Sequence, residues 1–236
     1  MGIGGMLFVF SVLAVRADFA GVQFTPGATP SHFPPGRLSP SLEDFVSVVY
    51  LPAEGFERQL AIGWARMDFA WGKIEPQQDV WVWERFDNLI REAHKRGMEV
   101  LPLLAYTASW AATEVGTKGP PKEVQDWEDY VEHVVQRYSR PPFNLHFFQV
   151  WNEPTRKAGF WRGETDEAWI DTIFIPAAKI IRRYGCQVVF GGWPVSDAQR
   201  LDYILEYHDA WRWVDIVDVY GKKVEFAIGY VVFEKS

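Results

Sequence analysis

The chain has little cysteine and no excess of positive charge. Cys186 is its only cysteine, which excludes an intrachain disulfide and a cysteine-based metal cluster. Lys and Arg number 24 against 31 Asp and Glu, for a net charge of −7. This balance argues against nucleic acid or an anionic membrane surface as a partner, and it suits a neutral ligand. The sequence does not indicate an oligomeric state.

Motifs for metals and nucleotides are also missing. The histidines show no ligand spacing such as H-E-x-x-H, and no G-x-G-x-x-G or P-loop follows a strand-like segment. We therefore expect no metal and no cofactor. The five histidines are His32, His94, His133, His146 and His208.

Residues 6–15 form an apolar stretch that is too short to span a bilayer, since a spanning helix needs about 20 residues. Arg16, Ala17 and Asp18 follow it, a pattern that resembles a secretory signal cleaved after Ala17. Residues 1–5 lack the usual Lys or Arg, so a hydrophobic first segment of the fold is the alternative. We expect a signal peptide over 1–17, a single domain over 18–236 and a secreted or periplasmic protein.

Tryptophan is abundant, with 12 copies, in an otherwise ordinary composition of 48% hydrophobic and 23% charged residues. Indole rings fill cores, but they also stack on the apolar faces of sugar rings. The excess favours a carbohydrate partner without establishing one.

Strand-like and helix-like segments alternate along the chain, which predicts a parallel sheet with helices outside it. The predicted helices include a stripe from Trp127 to Tyr138 and a longer helix over 166–184 that Pro176 is expected to kink. The apolar strands end in polar and aromatic loops, which favours a (β/α)8 TIM barrel over an open sheet. The predicted strands are 19–24, 63–69, 98–104, 145–150, 187–191 and 214–219.

The chain is short for a complete barrel, which takes about 250 residues, or roughly 31 for each strand–helix unit. The six predicted strand–helix units end at Tyr220, and 16 residues follow it. That tail has room for one strand, over 224–233, and not for two further units. We therefore expect an α/β fold of the TIM-barrel type that is incomplete, with about six units and an irregular tail.

The tetrapeptide Trp151-Asn152-Glu153-Pro154 is the most informative motif. It follows the predicted strand 145–150, so the Glu153 carboxylate is expected at the carboxyl end of a barrel strand, where barrel enzymes place catalytic groups. The alternative is an ordinary strand-to-loop turn closed by proline.

Three segments together resemble clan A glycoside hydrolases, with the family 39 and cellulase-like barrels closest. They are 62–76, which contains Arg66; 98–111, which contains Tyr106; and 148–154, which contains Asn152 and Glu153. Segment 214–219 is similar to the sixth strand of those barrels. The resemblance covers roughly residues 19–220.

The resemblance implies retaining hydrolysis of O-glycosidic bonds in oligo- or polysaccharides. It assigns Glu153 as general acid/base, Asn152 as a partner of the sugar 2-hydroxyl, and Arg66 as support for the nucleophile. An acid and a nucleophile about 5–5.5 Å apart are what that reaction needs. For Asn152 the alternative is a turn-capping amide. For Arg66 it is an ion pair with an acid such as Asp68.

Six aromatic residues near strand ends are candidates for stacking on sugar, although each could equally pack in the core. They are Trp71, Tyr106, Trp110, Trp151, Trp161 and Trp193.

The nucleophile of the clan follows its seventh strand, and this chain has no clear equivalent. Glu225 comes only six residues after Val219, whereas a parallel crossover takes a dozen or more. Glu225 is thus a weak candidate, and Glu234 a weaker one. The rival hypothesis is a non-catalytic carbohydrate-binding barrel or truncated pseudoenzyme. An aldolase-like barrel would need a lysine on an inner strand, and the predicted strands have none. The sugar and the mode of cleavage stay open.

Overall fold

A computed structural model describes residues 47–49, 51–52, 54–55, 58, 63–155, 159–194 and 197–220. Six parallel strands form one sheet in the order of the sequence, each pairing with the strand before it. Helices separate most of these strands, so the predicted α/β fold, a partial TIM barrel, is confirmed. The strands are β1 Ser47–Val49, β2 Trp64–Ala70, β3 Glu99–Ala105, β4 Phe147–Asn152, β5 Gln187–Pro194 and β6 Ile216–Tyr220.

Strand β2 shows how the sheet divides its residues between two faces. Ala65, Met67 and Phe69 are buried in the core, while Arg66 and Asp68 alternate with them and are only partly buried. Successive side chains of a strand point to opposite faces. Arg66 and Asp68 therefore lie on the face away from the Phe69 side of the core.

The helices between the strands bury apolar stripes against the sheet. After the one-turn helix α1, Trp71–Ile74, come α2, Glu84–Lys95, and α3, Val124–Tyr138. Helix α2 is followed by Gly97, whose φ of +75° suits glycine at a helix end. All six residues of the predicted stripe on α3 are buried, as the 3.6-residue period requires: Trp127, Tyr130, Val131, Val134, Val135 and Tyr138.

The predicted helix around Pro176 is irregular, as expected. It consists of α4, Glu167–Trp169, a π-helix at Ile170–Phe174, and α5, Ile175–Arg183. Pro176 lacks an N–H and cannot make the i to i−4 bond of an α-helix. The wider π turn ends at Phe174, two residues before Pro176. Helix α6, Ala198–Glu206, and a 3-10 segment, Tyr207–Trp213, lead to β6.

One strand was not predicted. Ser47–Val49 pairs with β2 and occupies the sheet position before it. The predicted strand 19–24, the signal segment 1–17, the tail strand 224–233, Glu225 and Glu234 lie outside the described residues. No described helix combines the length and the apolar character needed to cross a membrane.

Candidate active site

The predicted site residues of β2 and β4 are brought into contact. Arg66 Nη1 donates a hydrogen bond to Asn152 Oδ1 over 2.8 Å, although 86 positions separate the two residues in sequence. Asn152 is the last residue of β4, and Glu153 follows it directly. The bond therefore joins two of the three predicted catalytic residues at the carboxyl end of the sheet and places the third beside them.

The backbone at the end of β4 departs from regular strand geometry. Trp151 and Glu153 have φ angles of +63° and +47°, a region that costs side-chain-bearing residues free energy and that is common at functional sites. The Glu153 N–H donates to the Gly192 carbonyl over 3.1 Å. A β-carbon at Gly191 would lie 2.7 Å from the carbonyl oxygens of Val150 and Trp151. Glycine on β5 therefore lets this bent strand end pass close by.

This irregularity changes the direction of Asn152. Gln149 and Asn152 are three residues apart, so a regular strand would point them to opposite faces. Yet a β-carbon at Gly192 would meet Asn152 Oδ1 at 3.2 Å and Gln149 Nε2 at 3.8 Å. The left-handed conformation of Trp151 breaks the alternation, so that the Asn152 amide approaches Gly192 from the same side as the Gln149 amide.

Asp218 on β6 is a site residue that the motifs did not identify. Its Oδ2 lies 3.8 Å from Arg66 Nη1, and it would lie 3.2 Å from a β-carbon at Gly192. Burial raises the pKa of the Asp218 carboxyl and the charge of Glu153 acts in the same direction, while Arg66 and a hydrogen bond with Gln149 oppose the rise. The signal in the sequence was an acid inside an otherwise apolar strand.

Tyr106 follows β3 and lies beside the same groups. Burial raises the pKa of its hydroxyl, as do the charges of Asp68 and Glu153, whereas a hydrogen bond with Asn152 and the charge of Arg66 oppose the rise. The phenol therefore stays neutral and can donate or accept a hydrogen bond next to Asn152.

Four of the six aromatic candidates are corrected by the structure, because they are at most 1% exposed and belong to the core. The Trp71 ring stacks on Tyr130 at 5.4 Å, and the Trp151 indole N–H donates to the Phe160 carbonyl over 2.7 Å. Rings covered in this way have no face left for a sugar, so their role is packing. The four residues are Trp71, Trp151, Trp161 and Trp193.

Tyr106 and Trp110 are the candidates that remain partly exposed. Trp110 is held by its indole N–H, which donates to the Glu75 carbonyl over 2.9 Å. The Tyr106 ring meets Trp151 edge-on at 5.0 Å and lies 6.0 Å from Phe160. Both rings are therefore fixed by their neighbours, while keeping some surface toward solvent.

Arg66 contacts both Asn152 and Asp218. Glu225, the weak nucleophile candidate, lies outside the described residues, so the predicted support of a nucleophile by Arg66 stays a prediction. Among the described residues, no group of three or more His, Cys, Asp or Glu side chains is placed to hold a metal ion.

Comparison with known proteins identifies relatives in sequence and in fold. Over 113 residues the chain is 32% identical to a beta-xylosidase of Caldicellulosiruptor saccharolyticus, a match that covers 45% of this chain and 23% of the beta-xylosidase. No protein-family model matches the chain.

Among solved structures, the GH39 enzyme from Xanthomonas axonopodis pv. citri matches with a TM-score of 0.53 at 21% identity. That match covers 68% of this chain and 35% of the enzyme. Xylanase 10B from Thermotoga petrophila RKU-1, in complex with xylobiose, matches with a TM-score of 0.50 at 16% identity, covering 71% of this chain and 55% of the xylanase.

The chain thus spans between 23% and 55% of the length of these proteins. In sequence it is related to a glycoside hydrolase, and in fold it resembles the family 39 and related barrels of clan A.

Proposed function

We propose that the chain is the site-bearing part of a retaining glycosidase, with Glu153 as general acid/base. The observation that supports this most is the hydrogen bond from Arg66 on β2 to Asn152 on β4. It ties together two of the residues that the resemblance assigns to catalysis and leaves Glu153 as the next residue along the chain.

In the proposed reaction, Glu153 protonates the leaving oxygen of the glycosidic bond. It then deprotonates the water that releases the sugar. The Asn152 side chain bonds the hydroxyl next to the anomeric carbon, a contact that strengthens as the transition state forms. Tyr106 and Trp110 flank the sugar. A second carboxylate has to act as nucleophile, and Glu225 and other residues outside the described part are the candidates.

For the substrate we propose a β-xyloside, because the related protein is named a beta-xylosidase. The proposed export of the chain is compatible with a polysaccharide-derived substrate. A carbohydrate-binding protein that does not turn over its ligand is the competing function, and the experiment below separates the two.

The test uses 4-nitrophenyl β-xyloside and xylobiose with the wild-type chain, Glu153→Gln and the control Glu206→Gln. Glu206 is exposed at the end of α6. The expected result is a loss of about 10²- to 10⁴-fold in xylobiose hydrolysis for Glu153→Gln, the range of general acid–base catalysis, and none for the control. Binding of xylobiose without hydrolysis by the wild type would select the binding protein.

Stereochemistry tests the retaining step separately. NMR of the first product should show the β-anomer if configuration is retained. With Glu153→Ala, added azide should increase turnover of the nitrophenyl substrate, because azide needs no general base to attack the glycosyl-enzyme. First formation of the α-anomer would contradict the retaining mechanism.

A further inference from the structure

Asp218 is a carboxyl group within the site for which the proposed roles of Glu153, Asn152 and Arg66 do not account. Its side chain is 12% exposed, and that of Arg66 is 11% exposed. The Arg66 Nη1 atom that lies 3.8 Å from Asp218 Oδ2 is the atom that donates to Asn152 Oδ1 over 2.8 Å. A single nitrogen therefore connects a carboxylate on β6 to an amide on β4.

The absence of a side chain at Gly192 makes this connection possible. Strand β5 lies between β4 and β6, and a β-carbon at 192 would be 3.2 Å from both Asn152 Oδ1 and Asp218 Oδ2. Gln149 also approaches this point from β4, and it is hydrogen-bonded to Asp218. Side chains of β4 and β6 thus converge over one glycine of β5.

The negative charge of Asp218 stabilises the partly buried Arg66 guanidinium. A guanidinium removed from water loses hydration free energy, and a neighbouring carboxylate offsets that loss and limits where the cation can lie. While Arg66 donates to Oδ1, the Asn152 carboxamide has a fixed orientation. Its NH2 group is then the end that can donate to another acceptor.

We propose that Asp218 is a positioning residue: its carboxylate holds Arg66 against Asn152 Oδ1, and so directs the Asn152 NH2 group toward a hydroxyl of the ligand. The ligand in this statement rests on the proposed glycosidase function. The orientation of Asn152 does not, and it can be measured in the free protein.

Protonation of Asp218 removes the charge that holds Arg66. Because burial raises the pKa of this carboxyl, the loss should occur at a higher pH than an ordinary aspartate would give. Among the described residues, the charged groups that act on Asp218 are Arg66 on β2 and Glu153, which directly follows β4. Glu153 must therefore be neutralised for the titration to be assigned.

The first experiment follows the Asn152 side-chain NH2 signal by NMR in the 15N-labelled full chain carrying Glu153→Gln. Loss of the signal in Asn152→Ser assigns it. We expect it to shift with pH at a midpoint above the usual aspartate range, and to lose that step in Asp218→Asn. The matched control is Asp215→Asn, whose carboxylate pairs with Arg182 at 2.7 Å before β6 begins, and it should keep the step.

A pH-independent signal, or a step that survives Asp218→Asn, would overturn the proposal. If Asp218→Asn does not fold, the titration of the protein that keeps Asp218 still tests the proposal, because a pH-independent Asn152 signal contradicts it.

A double-mutant cycle measures the consequence for the ligand. Asp218→Asn should lower kcat/KM for the xyloside by about tenfold to a hundredfold, since small misplacements of positioning groups have effects of that size. In the Asn152→Ala background, Asp218→Asn should lower kcat/KM by less than about twofold, because the two residues act through one contact. Equal losses in both backgrounds would contradict a role through Asn152. If the wild type neither hydrolyses nor binds xylosides, the proposed function is wrong. The NMR titration still tests the role of Asp218 in orienting Asn152, because it needs no ligand.

Discussion

The Trp71 indole N–H donates to Glu75 Oε2 over 2.6 Å, and both residues are buried. The Asp79 N–H donates to the other carboxylate oxygen over 2.8 Å. Despite these bonds, burial is the largest influence and raises the pKa of Glu75. This carboxyl binds its proton more tightly in the native state than in the unfolded chain.

A pH dependence of stability follows from that shift. Between the unfolded and the native pKa of Glu75, the native state holds more protons, so the stability contributed by this group is present at acid pH and is lost as pH rises through the native pKa. Glu75→Gln should therefore gain in free energy of unfolding relative to wild type over the pH range that begins at about 4.3, the pKa of an unfolded glutamate, and extends upward. Urea unfolding across that range measures the difference. The exposed Glu84→Gln is the control, and a difference that does not change with pH would contradict the prediction.

Two adjacent glycines should respond differently to alanine. A methyl group at Gly192 would lie 3.2 Å from two side-chain oxygens, whereas at Gly191 it would lie 2.7 Å from two backbone carbonyl oxygens. Side chains can shift and backbone in a paired strand cannot do so cheaply. We expect Gly192→Ala to weaken xylobiose binding with a small loss of stability, and Gly191→Ala to lower the free energy of unfolding by about 1–3 kcal/mol. Calorimetric titration measures xylobiose binding by both variants, and thermal unfolding measures their stability. Equal changes in binding and in stability for the two variants would contradict the prediction.

Tyr106→Phe removes a hydroxyl that is hydrogen-bonded to Asn152. The expected result is a several-fold loss in affinity for xylobiose, consistent with about 1 kcal/mol for one neutral hydrogen bond, and little change in stability. The matched control is Tyr130→Phe, since the Tyr130 hydroxyl donates to the buried Phe69 carbonyl. That variant should instead lose about 1–2 kcal/mol of stability, because a buried carbonyl is left without its donor. Unchanged xylobiose affinity in Tyr106→Phe would remove Tyr106 from the site.

Cys186 should report on unfolding. It is 5% exposed, and burial raises the pKa of its thiol to about 11. Since the thiolate is the reactive form, alkylation by iodoacetamide near pH 8 should be more than about a hundredfold slower in the native protein than in urea. Mass spectrometry of timed samples measures both rates. Equal rates would mean that this end of β5 opens readily.

The sequence predicted most of the sheet because hydrophobic periodicity reflects burial directly. The stripe on α3 follows from a spacing of 3.6, and the strand leading to Asn152 follows from a short run of aromatic and β-branched residues. Ser47–Val49 was missed although Val48 and Val49 are β-branched, since a three-residue strand gives too short a pattern to stand out.

The site was less predictable than the sheet. Arg66, Asn152 and Glu153 were predicted from motifs in the sequence. Asp218 and Gly192 were not, because their contacts with the site exist only when β4, β5 and β6 lie side by side. The tryptophans show the same limit. A ring at a strand end can pack or bind sugar, and only the neighbouring rings, such as Tyr130 against Trp71, decide which.

Every described strand lies beside the strand that precedes it in the chain. The sheet can therefore form strand by strand in the order of synthesis. Each new strand meets an already formed neighbour as its docking edge, and no earlier strand has to wait for a distant one. The contacts around Asn152 are an exception, since Arg66 is made long before Asp218. Assembly of this constellation is therefore a late event that follows completion of the surrounding scaffold.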